Sequence, residues 1–182
     1  MAYLISLVIL IVTILFGVSV GSDGVSAIVL FFNAPSLILV LLPTLGVPIA
    51  AMNRGNLRIF PILFGNQSIS DPQELKRVFN FFGSFGDTAV LMGIIAIFIS
   101  NILLLADLGN INMIGPNMAV GICSMLYAVV LKLVGYLAQC HVRTKAEISH
   151  DTLNQDNRIW LTYIFVFFPM VFFCILLFVA GK

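Results

Sequence analysis

The sequence predicts an all-α integral membrane protein of five transmembrane helices, on three observations. Sixty per cent of its 182 residues are hydrophobic and only 9% are charged, and the mean hydropathy of +1.11 lies far outside the soluble globular range. The apolar residues gather into five runs, and the two central ones each hold close to the ~20 residues that cross a ~30 Å hydrocarbon core at ~1.5 Å rise per residue. Two of those runs carry matched stripes of small residues at helical spacing, the pattern that lets helix backbones approach closely in lipid. One membrane domain follows, with no room for a second folded unit.

Residues 3–20 form an uncharged run with no positive segment before it, so they read as the first span rather than a secretory signal. GSDG at 21–24 is a tight turn. Residues 25–52 form the second span, interrupted by Pro35, Pro43 and Pro48. Each proline removes a backbone hydrogen bond, which is tolerated where neighbouring helices satisfy the freed carbonyl. Asn33-Ala34-Pro35-Ser36 marks the start of the membrane helix proper. Residues 53–85 are the first polar connector. Within it, Asp71-Pro72-Gln73-Glu74 combines an N-cap aspartate, proline at the first helical position and a glutamate reaching back. The amphipathic ELKRVFNFF that follows is expected to lie along the membrane surface, with docking of a soluble partner as its functional alternative.

Residues 86–105 and 117–139 are the third and fourth spans. They are joined by 106–116, whose one charge is Asp107 and whose Gly109, Asn110, Gly115 and Pro116 end helices. The two form a transmembrane hairpin. Gly86, Ala89, Gly93, Ala96 and Ser100 share one face of the third span; Gly121, Ser124, Ala128, Lys132, Gly135 and Gln139 share one face of the fourth. Residues 140–158 are a second polar connector, and 159–180 a fifth span with Trp160 and Tyr163 as interfacial aromatics. Arg54, Arg58, Lys76 and Arg77 lie in the first connector and Arg143, Lys145 and Arg158 in the second, whereas the segments at 21–24 and 106–116 have no basic residue. By the positive-inside rule both connectors and the N-terminus are cytoplasmic and the C-terminus is outside.

Several function classes drop out. A net charge of +1 without a basic cluster gives no nucleic-acid footprint. Cys123, Cys140 and Cys174 stand at unrelated spacings, which suits packing rather than a disulfide framework or a zinc site, and no metal or cofactor is expected. His141, Glu147, His150 and Asp151 read as a solvated face. No phosphate loop or nucleophile motif is present, so the chain reads as a non-enzyme.

The polar residues of the hairpin are the candidates for chemistry. A lysine on a small-residue face within a membrane is costly and therefore a functional candidate. Three roles fit Lys132: snorkelling to the headgroups, an ion pair with Asp87 at the same depth on the third span, or a cation block that meets a partner's carboxylate. Ser100 and Asn101 are expected to match Cys123 and Ser124 in depth, either serving an ion path or bonding the two helices together. Tyr127 reads as a packing residue.

Two stretches carry a family resemblance. FFNAPSLILVLLPTLGV at 31–47 resembles the second-helix signature of flagellar stator A subunits. LLLADLGNINMIGPNMAVGICSMLYAVVLKL at 103–133 resembles the third-to-fourth helix junction of the same group, with its Ile-Gly-Pro-x-Met-Ala-Val and Leu-Tyr. The group is the MotA/TolQ/ExbB family of ion-driven motor subunits. The resemblance implies a multi-pass protein of the bacterial inner membrane, in which the charge-based orientation makes the N-terminus cytoplasmic and the C-terminus periplasmic. It also implies a homopentamer around a single-span partner that bears an ionisable carboxylate, with the third and fourth helices lining the interface. Asp87, Ser100, Asn101, Ser124, Tyr127 and Lys132 are then the ion-path or partner-facing candidates, and Gly93, Ala96, Gly121, Ala128 and Gly135 the packing stripe. The departures are equally specific. The mid-membrane hydroxyl positions of the family align with Ile97 and Met125, the glycine after Leu-Tyr is Ala128, Lys132 replaces a small residue, the large cytoplasmic domain shrinks to 53–85, and a fifth helix is added. A non-conducting pentameric scaffold with a degenerate ion path, or an unrelated small channel, are the alternative readings.

Overall fold

The computed structural model describes residues 2–20, 32–51, 72–107, 110–145 and 171. Among the described residues four helices are present: α1 (Ala2–Val20), α2 (Ala34–Ala51), α3 (Pro72–Ala106) and α4 (Ile111–Lys145). The turn at 21–24, the capping Asp71, the connector residues 53–71 and 146–158, Trp160 and Tyr163, and the fifth span apart from Val171 lie outside the described residues.

The all-helical class stands, and two of the four helices, α3 and α4, are long and apolar enough to cross a membrane. They pack against each other as an antiparallel hairpin. Only about a third of each apolar stretch is covered by protein. Leu91, Ile95, Phe98, Ile102 and Leu105 recur at three- and four-residue steps along α3, and all are exposed. A soluble core helix would bury such residues; an uncovered apolar stripe of this size calls for a non-aqueous neighbour.

Each start of a helix has a local cause. Pro72 opens α3, where its missing N–H and fixed φ cost nothing. Asn33 caps α2: its side-chain Oδ1 accepts from the Ser36 N–H at 3.3 Å and its carbonyl from the Leu37 N–H at 3.0 Å. Pro43 and Pro48 lie inside α2. Thr44, one residue after the first of them, turns its hydroxyl back onto the Val40 carbonyl at 2.6 Å.

Two expectations are corrected. The segment 74–82 is not a separate surface helix, because α3 runs unbroken for 35 residues from Pro72 to Ala106. Gly83 and Gly86 do not break it: α4 side chains pack over both, and a Cβ would stand 2.9 Å from the Gln139 amide nitrogen at the first and 2.7 Å from Lys132 Cδ at the second. Nor does the fourth helix wait for Pro116. It starts at Ile111, capped by Asn110, whose side chain accepts from the Asn112 N–H and whose carbonyl accepts from the Met113 N–H. Pro116 then falls in the second turn, where it forfeits one bond, to the Asn112 carbonyl. At its far end α4 continues through His141 and Arg143 to Lys145, into what reads as a connector.

α1 docks its first turns on that far end. Tyr3 is buried with Val78, Ala138 and Val142, and Leu7, Phe81, Phe82 and Leu137 pack around them. The Tyr3 ring lies 5.6 Å from the His141 ring. α2 lies against both arms of the hairpin, with Ser36, Val40 and Thr44 fully buried at four-residue steps.

Candidate functional site

The polar residues of the hairpin are strung along the seam between α3 and α4, where the two small-residue stripes face each other. Ala89, Ala96 and Ser100 on α3 and Ser124 and Ala128 on α4 are buried there, as are Gly93, Gly121 and Gly135. The approach is closest at the centre. A Cβ on Gly93 would stand 2.5 Å from the Ala128 Cβ, and one on Gly135 would stand 3.0 Å from the Phe82 carbonyl oxygen. The stripes are therefore spent on each other within one chain.

Towards the loop, Ser100 donates its hydroxyl to the Asn117 carbonyl at 2.5 Å, and the Asn117 amide donates to Asp107 at 2.9 Å. This polar knot closes the end of the hairpin. Ser100 thus acts as an interhelical bond, and Asn117, an amide just after Pro116, is a site residue the sequence reading passed over. Ser100 and Ser124 do not share a depth. Ser124 lies opposite Gly93, its carbonyl 3.7 Å from the Cβ position there, and it is seven residues, about 10 Å, from Asn117. The offset arises because α4 starts six residues earlier than its proline suggests. Ser124 is fully buried, and its hydroxyl has no partner among the described residues; the same holds for Asn101 Oδ1. A helical serine usually returns its hydroxyl to the carbonyl four residues back. Here that carbonyl, on Val120, already accepts from the Ser36 hydroxyl of α2 at 3.1 Å.

Tyr127 is more than packing. Its hydroxyl accepts the Asn33 backbone N–H at 3.0 Å, one of the donors left open at the start of α2.

At the other end of the seam, Lys132 Nζ donates to Asp87 Oδ1 at 2.5 Å, with side chains 24% and 48% exposed respectively. Of the three roles open to Lys132, the structure holds the ion pair. Gly86 makes it possible: a Cβ there would meet Lys132 Cδ at 2.7 Å, so the glycine is the trough in which the lysine stem lies. One turn beyond, the Gln139 amide donates to the Phe79 carbonyl at 3.1 Å and fills the space over Gly83.

Depth along the hairpin follows from counting. Asp87 of α3 and Asp107, just past its end, are 20 residues apart, about 30 Å, which is the thickness of a hydrocarbon core. The charged pair and the loop therefore stand about one hydrocarbon thickness apart along the hairpin. In between, Val90, Ile94 and Ile97 of α3 and Met125 and Val129 of α4 line a shallow, half-open apolar cleft. Ile97 and Met125, the positions aligned with the family's hydroxyls, are both in this apolar wall. Among the described residues no group of three His, Cys, Asp or Glu side chains is placed to hold a metal ion, and Cys123 and Cys140 are free thiols.

No family model matches the chain, and no curated protein matches it.

Proposed function

We propose that this chain is a multi-pass membrane subunit of an ion-driven motor or energy-transducing complex of the MotA/TolQ/ExbB kind. In this reading it has five transmembrane helices and forms a homopentamer around single-span partner helices that carry an ionisable carboxylate. Its membrane is the bacterial inner membrane, with the N-terminus cytoplasmic and the C-terminus periplasmic.

The observation that carries the reading is the contact between the two stretches that resemble the family. Asn33 and Ser36 of the NAPS stretch bond Tyr127 and the Val120 carbonyl, in the stretch that holds MAV and Leu-Tyr. They lie 94 and 84 residues away in the chain. Motifs that meet in space have a shared structural reason to occur together. Orientation draws support from the stacking of Tyr3 on His141, which sets the start of the chain beside the basic end of α4.

Particle stoichiometry tests the proposal. Five copies per particle, measured by mass photometry or native mass spectrometry after reconstitution in nanodiscs, is the expected result. A monomer, dimer or trimer under every extraction condition overturns it.

A second reading, the non-conducting scaffold, is favoured by one specific feature: the cleft at Ile97 and Met125 is apolar, and the cation of Lys132 is already matched by Asp87. Proton flux into liposomes separates the two. Flux that changes in Lys132→Ala or Asp87→Asn supports conduction, and no flux with or without candidate partners supports the scaffold.

A further inference from the structure

The apolar cleft and the charged pair are parts of one surface, and we infer that together they bind a phospholipid with a primary-ammonium, zwitterionic headgroup. Asp87, Val90, Ile94 and Ile97 follow one another at steps of three and four on α3, so they share a stripe. Met125, Val129 and Lys132 do the same on α4. The two stripes run side by side, charged at one end and apolar for the next two turns. Charge sits at the depth of the lipid phosphates and the cleft points from there into the hydrocarbon layer, by the 20-residue count to Asp107.

The chemistry selects the headgroup. The pair is half-exposed at Asp87 and a quarter-exposed at Lys132, so each ion retains a face for a second partner. A phosphate can take a Lys132 N–H while an ammonium donates to the free Asp87 oxygen, which converts an ion pair into a four-charge array of alternating sign. An anionic headgroup without the ammonium would bring its charge against Asp87 uncompensated. A trimethylammonium group offers no N–H to donate. The cleft is shallow, with walls of branched and flexible side chains and a floor at Gly93 and Ala128, so an acyl chain lies along it rather than entering a closed cavity. The site requires the hairpin to be in a bilayer but neither a five-fold ring nor ion flow; a lipid and a partner helix exclude each other from this groove, so a single-span protein cross-linked there supports the proposed function and overturns the lipid site.

The test uses the full-length protein reconstituted with equal parts of phosphatidylethanolamine, phosphatidylcholine and phosphatidylglycerol of one acyl composition. It is then stripped in mild detergent, and retained lipid is read by native mass spectrometry. Phosphatidylethanolamine should be retained over each of the others by about ten-fold, the worth of one charge-assisted hydrogen bond. Asp87→Asn should bring phosphatidylethanolamine and phosphatidylcholine to near parity. Val129→Trp fills the cleft from a position already 40% exposed, so it should leave the helical circular dichroism unchanged and abolish retention of all three lipids. Equal retention of the three by the unaltered protein, preference for phosphatidylglycerol, full retention in Val129→Trp, or a co-purified single-span protein cross-linked at Val129 each overturns the assignment.

Discussion

Gly93 of α3 faces Ala128 of α4 so closely that a methyl group on the glycine would stand 2.5 Å from the alanine methyl. The seam of the hairpin is set by that contact. Gly93→Ala should destabilise the hairpin by about 1–3 kcal/mol, the range for overpacking a tight interior. Exchanging the two residues, Gly93→Ala with Ala128→Gly, should recover most of the loss, because the summed side-chain volume is unchanged. Unfolding in mixed micelles followed by circular dichroism reads both effects. Equal stability of the single variant and the unaltered protein would refute the close approach.

Lys132 and Asp87 neutralise each other at the end of the seam far from the loop. Removing one partner leaves the other without its counter-ion. Asp87→Asn and Lys132→Met should each cost about 1 kcal/mol, the upper end for a pair that solvent still reaches. The double variant should be closer to the unaltered protein than either single one. A double-mutant cycle in the same micellar unfolding assay gives the coupling, and additivity of the two losses would show that the pair is not energetically linked.

Tyr127→Phe keeps the ring and deletes the acceptor for the Asn33 N–H at the start of α2. The expected loss is about 1 kcal/mol, that of one hydrogen bond with an unsatisfied donor left behind. It should be local. Hydrogen exchange should accelerate at the first turn of α2 while the α3–α4 seam stays protected; faster exchange along the seam instead would assign Tyr127 to hairpin packing.

Ser100→Ala deletes the bond to the Asn117 carbonyl near the loop. Interhelical hydrogen bonds of this type average about 0.6 kcal/mol in membranes. Asn117→Ala keeps that backbone carbonyl and removes instead the amide bond to the Asp107 carboxylate; a bond to a charged acceptor is the stronger kind, so it should cost more than Ser100→Ala. The reverse order would mean that the carbonyl bond, not the amide, closes the hairpin.

Both stripes were legible in the chain, because small residues at steps of three and four lie on one face of a helix whatever surrounds it. The depth match of Lys132 and Asp87 was legible for the same reason: an antiparallel pair joined by a short loop fixes the register of its arms. Element ends were less so. Pro116 and Gly115 read as helix-enders, but Asn110 caps the helix before them and a proline in the second turn loses only one bond. The amphipathic stretch 74–82 reads as a surface helix of its own, but α3 runs on through Gly83 and Gly86, against which Gln139 and Lys132 of the other arm pack. The cross-chain bonds of Ser36 and Tyr127 gave no signal in either motif alone.

By itself the sequence determined the solvent and the faces. Its apolar content points to a non-aqueous surrounding, and its helical periodicity decides which side of each long helix is smooth enough to be approached. Only the tertiary structure decided what meets those sides. The glycine and serine stripes turn to each other, Lys132 to Asp87, and the NAPS stretch to Tyr127 and Val120. The physical reason is that periodicity is a property of one helix, whereas a contact requires two helices at a fixed register, and that register comes from the length of the loop and the fit of side chains into the troughs that glycine leaves.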